Sequence, residues 1–135
     1  MAGYSGTPLI KKLGIKEGFT VALINAPRNY NRTLGNMPAN VRIIKKIKSG
    51  LDCIQFFTKS KSELEAEMVH LKNAIVQNGM IWISWPKGSS KIPTDVSENI
   101  VRDIALRHGL VDVKVCAVDE IWSGLKLIIP VNDRR

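Results

Sequence analysis

Residues 51–85 hold the pattern that most limits the fold. Two short apolar runs, Leu51–Phe57 and Met80–Trp85, flank a stretch in which Leu64, Met68, Leu71 and Ile75 recur at helical spacing. Near-continuous apolar runs suit strands covered on both faces. The stripe between them suits an amphipathic helix lying on one of those faces. Two strands joined through such a helix are expected to run parallel. Ser62-x-x-Glu65 reads as a capping box and predicts the helix start at Ser62. Glu63, Glu65 and Glu67 favour the positive end of the helix, and Asn78-Gly79 is expected to end it.

The same alternation extends both ways. Upstream, Thr7 as cap, Pro8 as first helical residue and Gly14 as stop predict a short helix with Leu9, Ile10 and Leu13 on one face. A strand over Thr20–Asn25, a short helix over Pro27–Leu34 closed by Gly35, and a strand over Val41–Ile47 follow. Downstream, a polar loop over Pro86–Pro93 leads to a helix capped by Thr94 or Asp95, which buries Val96, Ile100, Val101 and Ile104 and ends at His108-Gly109. Strands Leu110–Val118 and Trp122–Pro130 should form an antiparallel hairpin through Asp119-Glu120. The order α-β-α-β-β-α-β-α-β-β predicts an α/β three-layer sandwich: a Rossmann-like, mostly parallel sheet with a C-terminal antiparallel hairpin. At 135 residues the chain is expected to be one domain, 1–135.

Several function classes are excluded. Hydrophobic residues at 44% and charged residues at 24% do not suit a disordered chain. No apolar run approaches a membrane span, and residues 1–13 carry no secretory pattern. Cys53 and Cys116 lie in apolar runs without CxxC or Cys/His spacing, as expected of buried thiols in a reducing cytoplasm. His70 and His108 stand alone, so no metal site is expected, and no Ser/His/Asp order or carboxylate pair emerges. The charge is uneven. Residues 1–50 hold nine Lys/Arg against the single acid Glu17, whereas residues 51–135 hold eleven of each sign. That asymmetry reads either as a site for an anionic partner or as a solvated basic face. Arg42, Lys45, Lys46 and Lys48 are the candidate nucleic-acid contacts, although no nucleic-acid motif accompanies them.

The second half resembles that of a Rossmann-like S-adenosylmethionine methyltransferase. The acidic residue opening a strand at Leu51-Asp52, the turn at Asn78-Gly79, the apolar strand Met80–Trp85 and the terminal hairpin through Asp119-Glu120 fall in that family's order. In the first half the pattern departs from it. The resemblance implies a glycine-rich loop after the first strand, where this chain has Asn25-Ala26-Pro27-Arg28. It implies an acid for the ribose after the second strand, where this chain has Lys45-Lys46. No cofactor is therefore expected, and an active methyltransferase stands as an alternative. The chain also resembles, over nearly its whole length, a family of short bacterial proteins defined only as a domain of unknown function. That likeness rests on Tyr4-Ser5-Gly6-Thr7-Pro8-Leu9, Trp85-Pro86-Lys87, Lys114-Val115-Cys116-Ala117-Val118-Asp119 and Trp122-Ser123-Gly124-Leu125.

In an open parallel sheet, ligands sit beyond the carboxyl ends of the strands where the strand order reverses. A strand order of 2-1-3-4-6-5 puts that crevice between strands one and three. The candidate ligand-binding residues are Asn25, Arg28, Thr58, Trp85, Lys87, Ser89, Asp119 and Trp122, with Tyr4-Ser5-Gly6-Thr7 placed to fold over them. Lys87-Gly88-Ser89-Ser90-Lys91 reads either as a phosphate-holding loop or as a solvated one. Trp85 and Trp122 read either as stacking platforms or as packing. Asp119 is either a partner for Lys87 or a turn residue, and Asp112 with Lys114 is expected to be a surface ion pair.

The main functional expectation is a non-catalytic or regulatory module that binds a small anion or nucleotide. A nucleic-acid accessory protein using the basic first third is the alternative beside the methyltransferase. No membrane contact is expected, and a dimer through an edge strand is open.

Overall fold

The computed structural model describes residues 8–135. The expected Thr7 cap and the Tyr4–Thr7 segment lie outside them. The elements follow the predicted order: α1 (Leu9–Leu13), β1 (Thr20–Ile24), α2 (Tyr30–Leu34), β2 (Arg42–Ile44), β3 (Leu51–Phe57), α3 (Lys61–Ala74), β4 (Ile75–Pro86), α4 (Glu98–Arg107), β5 (Val111–Ala117) and β6 (Trp122–Ile128). They form a six-stranded sheet in the order β2-β1-β3-β4-β6-β5. β2, β1, β3 and β4 are parallel, while β6 runs antiparallel to both β4 and β5. The sheet is an α/β sandwich filling.

Alternate residues of the central strands feed two cores. Ile54 and Phe56 of β3 join Leu64, Met68 and Leu71 of α3 and Val101 and Ile104 of α4. Cys53 and Phe57, pointing the other way, join Leu9, Ile10 and Leu13 of α1, Tyr30 and Leu34 of α2, and Trp82, Cys116 and Trp122. Trp82 is fully buried, and its indole N–H donates to the Leu13 carbonyl at 2.9 Å, tying α1 to the centre of the sheet. Both thiols are free and buried.

The structure corrects several boundaries. α3 is capped by Ser60, whose hydroxyl accepts from the Glu63 amide at 3.2 Å, not by Ser62. The helix ends at Ala74 rather than at Asn78-Gly79, because Ile75 already pairs with Leu51. Cys53 then pairs with Met80, so two steps on β3 match five on β4 and the surplus bulges at Val76–Gly79. Gly79 is required there: a Cβ would lie 3.0 Å from the Val76 carbonyl oxygen and 3.1 Å from that of Leu51.

α4 is capped by Ser97 instead of Thr94 or Asp95. Those two tie the preceding loop to the start of α3: Asp95 accepts from the Lys61 amide and Thr94 donates to the Lys59 carbonyl. β2 is three residues long, not the seven expected over Val41–Ile47, and Lys45 and Lys46 follow it in the connection to β3. Asp112 pairs with Arg102 of α4 at 3.0 Å and Lys114 donates to the Lys12 carbonyl, so the expected Asp112–Lys114 pair is replaced. An irregularity between the two residues disrupts their shared face.

Candidate functional site: the crevice beyond β1

The carboxyl ends of β1, β3 and β4 open on one edge of the sheet, and the strand order reverses between β1 and β3. Beyond β1 lies a crevice of about 590 Å³. Leu23, Ala26 and Pro27 line it together with Tyr30, and Arg28, Arg32 and Lys45 bring cations to it. Asn25, Asn29 and Asn31 supply amides. No carboxylate is among the described lining residues.

The loop that shapes this crevice turns through two left-handed residues, Asn25 (φ 59°) and Asn29 (φ 64°). Glycine adopts that conformation at least cost, and asparagine is among the few other residues that visit it. The chain thus keeps the sharp turn of a glycine-rich loop while placing side chains in it. The Asn25 amide donates to the Phe57 carbonyl at 3.2 Å, fastening the end of β1 to the end of β3 across the switch point. Pro27 adds a position with no N–H.

Beneath the loop, Tyr30 is buried and its hydroxyl donates to Gln55 Oε1. Burial pushes the phenol well above its ordinary range, with the neighbouring Cys53, Cys116 and Asp119 adding to the rise. The Tyr30 ring meets Phe57 edge-on at 4.9 Å, and Phe57 meets Trp122 edge-on at 5.2 Å. Gln55 Nε2 is buried with no partner among the described residues. Burial likewise pushes the Cys53 thiol up to about 12. These groups are a neutral support for the loop.

The sequence candidates are distributed as follows. Asn25 and Arg28 line the crevice, and Lys45, a nucleic-acid candidate, lines it with them. Thr58 is buried and donates to Glu63 Oε1 at 2.6 Å while accepting from the Ser60 amide, so it organises the start of α3. Trp85 packs in the core beneath α3 and α4, and Trp122 packs on Phe57 in the opposite core. Asp119 accepts from the Ile121 and Trp122 amides at 2.8 Å each, which makes it the turn residue of the hairpin. The Lys87 amide donates to the Ile121 carbonyl, and Ser89 sits exposed on a 3-10 turn over Gly88–Ser90. Arg42, Lys46 and Lys48 are exposed and outside the crevice. Arg32 and the Asn29–Asn31 run were not among the candidates. Arg28 lies before α2 and Arg32 within it, with left-handed Asn29 between them, so no periodic signal in the sequence links the two.

The fold and its edge crevice define a class, the methyltransferase-like Rossmann fold. Among solved structures, the chain is similar to an S-adenosylmethionine-dependent methyltransferase from Aquifex aeolicus, with 18% identity, a TM-score of 0.62, and 90% of this chain and 87% of that one covered. It is also similar to the fibrillarin pre-rRNA processing protein of Methanococcus jannaschii (13%, TM-score 0.57, 91% and 69% covered). A third is the magnesium protoporphyrin IX methyltransferase of Synechocystis PCC 6803, solved with bound S-adenosylmethionine (9%, TM-score 0.58, 89% and 74% covered). No protein-family model and no curated sequence matches the chain. Among the described residues, no helix is long and apolar enough to cross a membrane and no cluster of His, Cys, Asp and Glu could hold a metal ion.

Proposed function

We propose that the chain is a small-ligand-binding module that holds an anion in the crevice beyond β1, without transferring a methyl group. One observation carries this reading: Arg28, Arg32 and Lys45 line the crevice, and no carboxylate does among the described residues. Three like charges around one concavity raise the local concentration of anions. S-adenosylmethionine fits this lining poorly. Its sulfonium is a cation, and the lining opposes it with Arg28, Arg32 and Lys45. The lining also offers no histidine or carboxylate as a general base.

A second reading, an S-adenosylmethionine-dependent methyltransferase, is favoured by the fold of the similar structures, one of them solved with that cofactor bound. A thermal-shift panel separates the two. Nucleotides, S-adenosylmethionine, its demethylated product and short oligonucleotides are each added to the full chain. A ligand at about a hundred times its dissociation constant stabilises the folded state by roughly 2.7 kcal/mol. The anion reading expects a rise in Tm with a nucleotide and none with S-adenosylmethionine. The reverse result supports the methyltransferase, and a flat response to every small anion overturns the anion reading.

A further inference from the structure

Resting on that reading of the crevice, we infer that its ligand is a nucleoside polyphosphate, with the phosphates held between α2 and the exit of β2. The cations come from two separate segments. Arg28 and Arg32 flank the start of α2, and Lys45 leaves β2 from the neighbouring strand. All three side chains are exposed, and none makes an ion pair with a described residue. Three unpaired cations around one concavity favour a ligand that carries several negative charges. A diphosphate ester brings about as many negative charges as the crevice has cations, and a singly charged ligand does not. Two guanidinium forks also suit phosphate oxygens, which they grip bidentately.

The remaining lining fixes the other end of the ligand. Leu23, Ala26 and Pro27 are apolar, and the Tyr30 hydroxyl is turned to Gln55, leaving that part of the crevice hydrocarbon in character. Exposed Asn29 and Asn31 supply amide donors and acceptors beside it. At about 590 Å³ the space falls in the range of small-molecule sites and exceeds what inorganic phosphate fills. An apolar wall, amides beside it and a cationic rim match a nucleoside followed by its phosphates.

The test is a calorimetric titration of the full chain at low salt with ADP, AMP, adenosine and pyrophosphate, repeated on the double variant R32E/K45E and on R42E, which lies outside the crevice. ADP is expected to bind roughly tenfold more tightly than AMP, since its second phosphate adds charge-assisted hydrogen bonds to the cationic rim. Adenosine should bind too weakly to measure and pyrophosphate more weakly than ADP. R32E/K45E should lose ADP binding with unchanged circular dichroism, and R42E should keep it. Equal affinity for AMP and ADP, or for pyrophosphate and ADP, overturns the polyphosphate inference and leaves the anion crevice standing. Equal losses in R42E and R32E/K45E overturn it in favour of a diffuse basic face. No heat with any of the four overturns both.

Discussion

Removing the Tyr30 hydroxyl tests whether the crevice rests on a buried polar couple. Tyr30 is 3% exposed and Gln55 1%. The Gln55 Nε2 already lacks a partner among the described residues. In Tyr30→Phe the ring keeps its edge contact with Phe57 at 4.9 Å, so packing is preserved and the change isolates the hydrogen bond. It strands the Gln55 carboxamide, and stranding a buried polar group costs about 1–3 kcal/mol. Gln55→Leu strands the phenol instead and costs a similar amount. The double variant Tyr30→Phe/Gln55→Leu strands neither, so it should be close to wild type, and the coupling energy should equal the two single losses together, about 2–6 kcal/mol. Urea unfolding reads each value, and the single variants should melt lower by about 4 °C per kcal/mol. A double variant as unstable as the sum of the two singles would mean that Tyr30 and Gln55 are not coupled.

Four further outcomes are expected. Ser60→Ala should lose about 1 kcal/mol because Ser60 caps α3, whereas Ser62→Ala should change stability by less than about 0.5 kcal/mol, and urea midpoints distinguish the two. Gly79→Ala should cost about 1–3 kcal/mol, since two carbonyl oxygens within 3.1 Å of the new Cβ cannot move without breaking the bulge, and its Tm measures this. The Cys53 thiol is raised from 9.0 to about 12, so the unfolded chain releases that proton first as the pH rises. Stability should therefore fall between pH 9 and 12, by about 1.4 kcal/mol per pH unit for this group, and the fall should be shallower in Cys53→Ala across a pH series of urea titrations. Arg102→Ala should leave the melting temperature nearly unchanged, because its pairs with Glu98 and Asp112 are part-exposed.

The sheet was legible because its evidence is periodic. The apolar runs at Leu51–Phe57 and Met80–Trp85 and the Leu64–Met68–Leu71 stripe carry their own spacing, and the strand order 2-1-3-4-6-5, a premise for placing the crevice, is the one the sheet has. Capping was less so. Ser60 and Ser62 both precede a glutamate by three residues, and which one caps depends on where Thr58 anchors the chain to Glu63. The bulge at Val76–Gly79 was hidden because Asn-Gly signals a helix stop and a strand irregularity equally.

At the site, Asn25 and Arg28 were within reach because they directly follow an apolar strand. Thr58, Trp85, Asp119 and Trp122 lie at or near the same strand ends yet are taken up by capping, packing and turn formation. Position along the chain places a residue at an edge; only its neighbours decide whether its side chain faces outward. Arg32 and Lys45 line one crevice although they belong to separate segments, and no local pattern in the sequence records that convergence.

The crevice beyond β1, lined by Arg28, Arg32 and Lys45, is proposed to take an anion rather than S-adenosylmethionine. A direct competition tests it: backbone amide shifts of Leu23–Arg32 and Lys45 followed by NMR while ADP, then S-adenosylmethionine, is titrated into the labelled protein. Saturable shifts of these amides with ADP, and no displacement by S-adenosylmethionine, are expected. Saturable shifts with S-adenosylmethionine that ADP cannot reverse would contradict it.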